Sequence, residues 1–432
     1  DIQAAIDEYY ARDVRIDDFI TSLDDNAIQL VENQTEQRYE NIAELAGESP
    51  IVNLVNLIIL KAVKDGASDI HIEPTRGKLR IRYRIDGVLY EVMTPKLELH
   101  PAIVSRLKIM SQLDIAERRL PQDGRIQVDL VGRLVDLRVS SMPGIFGEKV
   151  VLRILDKAGA ILDLDRLGFA AETLRSFRET LRKPYGLILV TGPTGSGKTT
   201  TLYAALNMLN TLEKSIVTIE DPVEYQLDIV NQNQVNPPIG LTYAAILKHA
   251  LRQDPDILMV GEIRERQTAE IAIQASLTGH LVLTTLHTND APSAITRLLD
   301  MGVEPFRVAS SLLAVVAQRL VRTLCPDCRT PYYPSREELE GLGLAQHDGV
   351  RLQRPVGCER CYDSGHRGRV GVYELLLVDR ALQRLILERP SISQLRQHRA
   401  ESRLTTIYDE GLKKVLQGIT STEELLRAAY VD

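Results

Sequence analysis

The stretch Gly192-Pro193-Thr194-Gly195-Ser196-Gly197-Lys198-Thr199 follows an apolar run at 187–190 and precedes a helix-compatible stretch at 200–210. Strand, glycine-rich loop and helix, in that order, are the context in which G-x-x-x-x-G-K-[ST] forms a phosphate cradle. The glycines let backbone N–H groups converge on phosphate oxygens, and the helix amino terminus adds partial positive charge. Lys198 is placed to reach β- and γ-phosphates and Thr199 to hold Mg²⁺. The nucleotide-binding residues expected here are Gly192, Pro193, Thr194, Gly195, Ser196, Gly197, Lys198 and Thr199, with Thr200 adjoining.

Outward from this loop the pattern is α/β. Apolar strand candidates lie at 186–191, 215–219, 256–260 and 280–285, separated by helical stretches that include 241–253 and 268–277. Strands alternating with helices imply a parallel sheet, with ligands beyond the strands' carboxyl ends. Two acidic sites follow such strands. The segment Glu220-Asp221-Pro222-Val223-Glu224 is read as three carboxylates in a turn, because Pro222 would end the strand. The other is Glu262 after Gly261. Hydrolysis of a phosphoanhydride needs positioning, Mg²⁺, charge stabilisation and one group to orient water. Glu224 is read as the water-orienting base and Glu262 as the acid on the magnesium side, roles that the sequence alone leaves interchangeable. His280 and His287 flank the last strand candidate. They fit γ-phosphate sensing or coupling between parts of the protein, and equally ordinary core or solvated histidines.

Upstream, residues 46–160 read as an α+β domain. Ser49 and Pro50 suit a helix start, with the helix running to 63 and stopping at Gly66. At 78–86 apolar residues alternate with Arg80, Arg82 and Arg84, Asp86-Gly87 signals a hairpin, and a second hairpin is expected across Gly132. The three arginines are either a solvated strand face or candidates to point at phosphates across a cleft. Residues 1–45 are acidic and polar with weak helical patterns at 2–10 and 16–23, and they read as a linker or the remnant of a missing domain.

Downstream, Cys325-Pro326-Asp327-Cys328 and Cys358-Glu359-Arg360-Cys361 form two C-x-x-C pairs. Four thiolates can close a structural tetrahedral Zn²⁺ site, which we favour over a redox dithiol because the latter leaves the second pair unexplained. After Gly371 the chain reads as helical, with candidates at 381–388, 392–400, 406–417 and 422–429, and Thr420 with Glu423 offers a capping box for the last.

The composition sets limits. At 432 residues there is room for two or three domains, and 44 % hydrophobic with 26 % charged residues is ordinary for a soluble globular chain. A net charge of −7 and no basic, aromatic-interleaved tract argue against nucleic-acid binding. No apolar run approaches the roughly 18 residues of a membrane span, so any membrane association is expected only through partners or a surface patch. The start at Asp1 reads as an amino-terminal trim.

Together these motifs resemble the secretion and pilus-assembly ATPases, most closely their type II secretion (E-type) branch, over nearly everything after about residue 45. The carriers are the loop 192–199, the aspartate-box-like 218–224, the segment 258–264 and the histidine-box-like 278–289. The resemblance implies a RecA-like P-loop ATPase domain preceded by an α+β, PAS-like domain, a tetracysteine zinc module and a helical C-terminal part. The expected boundaries are 1–45, 46–160, 161–321, 322–371 and 372–432. It implies a hexameric, Mg²⁺-dependent ATPase, cytoplasmic and peripheral on the inner-membrane face, that uses ATP to drive pseudopilus assembly and protein export. Its implied partners are inner-membrane secretion-system proteins, including a cytoplasmic-domain adaptor. It also implies Glu224 as hydrolytic base, Glu262 as Walker B acid, His280 and His287 near the phosphates, and Arg138, Arg153 and Arg252 reaching a nucleotide at a subunit interface. Lys248 stands where a further arginine is expected. A remnant amino-terminal domain implies impaired recruitment and hexamer formation. Rival readings are a pilus-extension ATPase, a nucleic-acid translocase on the same engine, and a nucleotide-binding scaffold that hardly turns over.

Overall fold

The computed structural model describes residues 29–30, 50–130, 134–156, 163–346, 349–402 and 404–429. The expected helical patterns at 2–10 and 16–23, and Ser49 as a helix cap, lie outside the described residues. The chain divides into two compact units, residues 1–160 and 161–432.

In the first unit, strands β1 (Gln29–Leu30), β2 (Asp69–Thr75), β3 (Lys78–Ile85), β4 (Val88–Met93), β5 (Gln122–Asp129), β6 (Leu134–Gly144) and β7 (Gly147–Asp156) form one sheet in the order β1-β5-β6-β7-β2-β3-β4. Every described pairing in it is antiparallel. Asp86 and Gly87 both take positive φ, 49° and 85°, the geometry that a tight β3–β4 hairpin requires. Period-2 alternation sends Ile70, Ile72, Leu79, Ile81, Val135, Leu137, Val150 and Leu152 to one face. The helices Pro50–Lys64 and His100–Met110 bury their apolar stripes in the same core. The opposite face is charged. Arg80 pairs with Glu91 at 2.6 Å, Arg82 with Glu73 at 2.6 Å and Arg84 with Asp69 at 3.7 Å, so all three arginines of β3 have acidic cross-strand partners.

The second unit is built on β8 (Gly186–Thr191), β9 (Ile216–Glu220), β10 (Asn231–Gln234), β11 (Ile257–Val260), β12 (Leu281–Leu286), β13 (Leu312–Leu324) and β16 (His366–Leu377), ordered β10-β9-β11-β12-β8-β13-β16. A separate two-stranded sheet pairs β14 (Thr330–Tyr332) with β15 (Leu352–Arg354). All pairings from β10 to β13 are parallel, and β16 closes the edge antiparallel to β13. Alternation along β8 feeds two cores. Leu187 and Leu189 join the helices Tyr243–Ala250, Arg266–Leu277 and Ala291–Asp300, while Ile188 and Val190 join Ala171–Leu181 and Lys198–Leu209. A strand buried on both faces cannot show the polar alternation of β3, which is why β8 is uniformly apolar.

Three strands differ from the sequence reading. β10, with the sequence NQNQ, is an edge strand with no apolar pattern. β13 is one 13-residue strand whose apolar run fits either period. β16 continues to Leu377, so the chain after Gly371 stays extended before the helix Arg380–Leu387; its residues 371–376 are all buried against β13. The boundaries expected at 321/322 and 371/372 fall within β13 and β16, and the cysteine pairs lie on the excursion between them. The last helix, Thr422–Ala429, is capped by Ser421, whose hydroxyl accepts from the Glu424 N–H at 3.3 Å. The expected cap, Thr420, is engaged elsewhere, its hydroxyl donating to the Arg322 carbonyl of β13 at 2.7 Å. Burial alone would push the Glu424 carboxyl up. Hydrogen bonds from Arg322, at 2.7 Å from one guanidinium nitrogen, outweigh that and hold it below the ordinary range.

Candidate functional site

Thr191 ends β8, and the loop that follows reaches the helix Lys198–Leu209 through residues that only glycine can serve. A Cβ on Gly192 would stand 2.5 Å from both the Gln318 carbonyl and the Ser196 hydroxyl. Gly197, immediately before the helix, has φ 87°, a left-handed value unfavourable for other residues. The loop is braced from β13, where the Gln318 side-chain amide donates to the Ser196 carbonyl at 2.6 Å. On its other side the Thr191 hydroxyl donates to the Leu286 carbonyl at 3.0 Å, tying the ends of β8 and β12.

Lys198 Nζ donates to the carbonyls of Gly192 and Pro193 at 2.9 and 3.1 Å. Burial lowers its pKa, with Arg319 adding to the effect and the Glu262 carboxylate opposing it. Glu262 stands two residues beyond the end of β11, its carboxylate 3.4 Å from His287 Nε2 and ion-paired with Arg264. Arg319 donates to the Asn289 carbonyl at 2.8 Å, holding the loop after β12. Glu262 and His287 are therefore in contact at the carboxyl edge of β8, β11 and β12, within range of the Lys198 charge, at the edge where open α/β sheets take ligands.

The acidic segment after β9 divides. Glu220 does not sit in the turn; it is the last residue of β9 and is buried. Burial raises its pKa, offset in part by hydrogen bonds from Thr218, Tyr203 and Gln232. Asp221 and Glu224 follow in the turn, and the backbone N–H of Glu224 donates to the Tyr203 hydroxyl at 3.3 Å.

Two expected residues lie elsewhere. The His280 carbonyl accepts from the N–H of Gly186, the first residue of β8, at 3.1 Å. That puts His280 at the sheet's amino edge, the length of β8, roughly 20 Å, from the glycine loop; its Nδ1 sits 2.9 Å from the Ala275 carbonyl. Arg252 is exposed just past the carboxyl end of the helix Tyr243–Ala250, ahead of β11, also on that edge. His287 and His280 are thus separated by the whole of β12. In the first unit, Arg138 and Arg153 face each other in register across β6 and β7, and Arg153 pairs with Asp69 at 3.0 Å.

Gln318, Arg319 and Tyr203 fall outside the sequence motifs, and Arg264 enters there only as the last residue of the segment 258–264, without a role. The only sequence signals were a polar pair inside the apolar run of β13 and an arginine two residues after Glu262.

On the excursion between β13 and β16, the sulfurs of Cys325 and Cys358 are 3.9 Å apart, those of Cys328 and Cys361 3.8 Å and those of Cys358 and Cys361 3.6 Å. All four lie within 4.8 Å of one another, a set able to hold a metal ion. Burial would raise the Cys361 thiol, but the N–H groups of Cys358 and Gly365, each 3.2 Å from its sulfur, bring it down to about 7.

A parallel sheet carrying this glycine loop, lysine and strand-end acid defines the class of P-loop α/β proteins. The chain belongs to the family described as Type II/IV secretion system protein, whose model matches residues 44–427. It is 53 % identical over 388 residues to the "Type II secretion system ATPase E" of Vibrio cholerae, covering 90 % of this chain and 77 % of that one. It is 48 % identical over 430 residues to the "Type IV pilus assembly ATPase PilB" of Myxococcus xanthus, covering 98 % and 76 %. Among solved structures, the pilus retraction motor PilT with bound ADP superposes with TM-score 0.59 at 28 % identity, covering 87 % of this chain and 96 % of that one. The Legionella pneumophila ATPase DotB superposes with TM-score 0.66 at 19 % identity, covering 93 % and 98 %, a likeness of fold. Among the described residues no helix is long and apolar enough to cross a membrane.

Proposed function

We propose that this chain is a Mg²⁺-dependent ATPase of type II secretion, using ATP hydrolysis in a RecA-like domain to drive pseudopilus assembly and protein export. The observation that carries the reading is the contact of Glu262 with His287, within range of the Lys198 charge, at the mouth of a braced glycine loop. The loop suits a triphosphate. It opens onto a helix amino terminus, the Ser196 hydroxyl is buried with no partner, and a Cβ on Gly192 would collide with that hydroxyl and with the Gln318 carbonyl behind the loop. When bound, Mg²⁺ would supply charge neutralisation at the phosphates. Thr199 and Glu262 are the residues that would hold it, Glu262 through water. Lys198 would neutralise the transferring phosphoryl group, and Glu224 would orient water and accept its proton.

We assign Arg138, Arg153 and Arg252 to a nucleotide at a subunit interface, which makes a homo-oligomeric ring, a hexamer, the working form. His280, on the same sheet edge as Arg252, belongs with that interface rather than with the loop of its own subunit. The PAS-like assignment of the first unit, a cytoplasmic location and recruitment by inner-membrane secretion proteins are carried by the motif resemblance. In the cysteine module a tetrahedron with Zn–S of about 2.3 Å has S···S edges of about 3.8 Å. The sulfur spacings given above match it, so we assign a structural Zn²⁺ to Cys325, Cys328, Cys358 and Cys361. PilB, the second relative, favours pilus extension as the alternative drive.

Steady-state ATPase rates of the wild type, Glu224→Ala and Glu262→Ala, with Mg²⁺ and with chelator, test the catalytic reading. Equal rates in all three chains would defeat it. Mass by light scattering with and without ATP analogue tests the ring, and stimulation of turnover by DNA would favour a translocase.

A further inference from the structure

Resting on the reading of Glu224 as the base, we infer that Tyr203 is a positioning residue that fixes the Glu224-bearing segment to the phosphate-loop helix. Tyr203 is the sixth residue of the helix Lys198–Leu209, about 7.5 Å along the axis from Lys198, and is fully buried. Its ring meets the Tyr225 ring edge-on at 5.6 Å. Packing alone asks only for a phenyl ring; the hydroxyl is what requires explanation. A hydroxyl and a carboxyl buried side by side carry a desolvation cost that an apolar pair of the same shape avoids.

The hydroxyl has four partners. It donates to the Glu220 carboxylate and accepts from the backbone N–H groups of Glu224 and Tyr225, at 3.3 and 3.5 Å. The Gln232 side-chain amide reaches it at 3.3 Å, and the same amide donates to Glu220 at 3.1 Å and to the Tyr225 carbonyl at 2.9 Å. The carbonyl oxygen of Gln232 accepts from the Leu227 N–H at 2.8 Å, closing the segment at its far end. Residues 220–227 are therefore held by two side chains, one on the helix that begins with Lys198 and one on β10. The γ-phosphate position is set by Lys198 and the base position by Tyr203. Because both are on one rigid helix, the distance between nucleophile and phosphorus is set by that helix rather than by a free loop.

The test uses the full chain carrying Tyr203→Phe, which keeps the ring and removes the hydroxyl. Steady-state turnover is measured alongside the affinity for a fluorescent non-hydrolysable ATP analogue and the melting temperature. The expected result is a fall in kcat of ~10- to 100-fold with KM and analogue affinity unchanged. A stability loss with kcat retained would overturn the proposal and leave Tyr203 a packing residue. Tyr203→Phe added to Glu224→Ala should cost nothing further; an additive loss would also overturn it. If Glu224→Ala alone turns over at the wild-type rate, the reading of the base has failed. A kcat loss in Tyr203→Phe would then mean that it acts through another group, against this proposal. Should Tyr203→Phe not fold, Gln232→Met cuts the second tie and is expected to lower kcat alone; an unchanged kcat there counts against the clamp.

Discussion

The side-chain amide of Gln318 donates to the carbonyl of Ser196 at 2.6 Å, joining two residues 122 positions apart. This bond ties the glycine loop to β13, the strand on the far side of β8 from β12. The loop thereby has a rigid support opposite the side where Glu262 lies within range of the Lys198 charge. Replacing Gln318 with Leu leaves the Ser196 carbonyl buried without a donor, which costs ~1–3 kcal/mol. If that strain falls on the loop, affinity for nucleotide drops by ~5- to 150-fold, measured by titration of a fluorescent ATP analogue. Unchanged affinity would show that the loop holds its shape without the brace.

Glu262 has Arg264 on one oxygen and His287 on the other. Removing the carboxylate with Glu262→Ala is expected to lower single-turnover hydrolysis by ~100-fold or more while nucleotide binding persists, because the lysine and the loop amides remain. His287→Ala should cost less, since it removes a neighbour of Glu262 and not the acid itself. Rapid-quench measurement on enzyme preloaded with ATP separates the two, and the reverse order would shift the central role to the histidine.

Glu220 makes a pH prediction. Burial puts its folded-state titration above the ordinary carboxyl value of 4.5. A raised carboxyl supports the fold below about pH 4.5, and its contribution is lost as pH rises through the folded-state titration. Glu220→Gln, uncharged at every pH, should therefore gain melting temperature relative to the wild type as pH rises from 4 to 8. Thermal melts at stepped pH check it, and a difference that stays flat or shrinks would mean that Glu220 is stably ionised in the fold.

The cysteine module predicts one zinc per chain by elemental analysis. A strong chelator should release it and lower the melting temperature of the second unit. Analogue binding should survive, because the glycine loop and the cysteines share no described hydrogen bond. Freely titrating thiols in the purified protein, with no zinc, would remove the structural site.

Local order was legible wherever one stretch of chain carries its own cause. The glycine loop, the strand before it and the helix after it follow from residues 187–210. The alternating arginines of β3 and the Asp86-Gly87 turn are equally local, and the paired cysteines needed only their spacing. Where the sequence reading missed, the deciding partner was far away. β10 has no apolar residue and is a strand because its backbone completes the edge beside β9. β13 is extended because it lies between β8 and β16. Ser421 caps the last helix because the Arg322 carbonyl, 98 residues distant from Thr420, takes that hydroxyl.

The chemistry divides in the same way. By itself the sequence determined that a glycine loop enters a helix at Lys198, because Gly192 and Gly197 are read from local backbone need. Which acids and histidines share that mouth was decided only by strand register. β12 places His287 beside Glu262 and carries His280 to the opposite edge of the sheet, since a strand's two ends cannot serve one loop. Tertiary packing also drew the buried Glu220 out of the acidic turn and brought Tyr203, Gln318 and Arg319 to the site. Hydrogen bonds across such separations have no periodicity for a sequence to display.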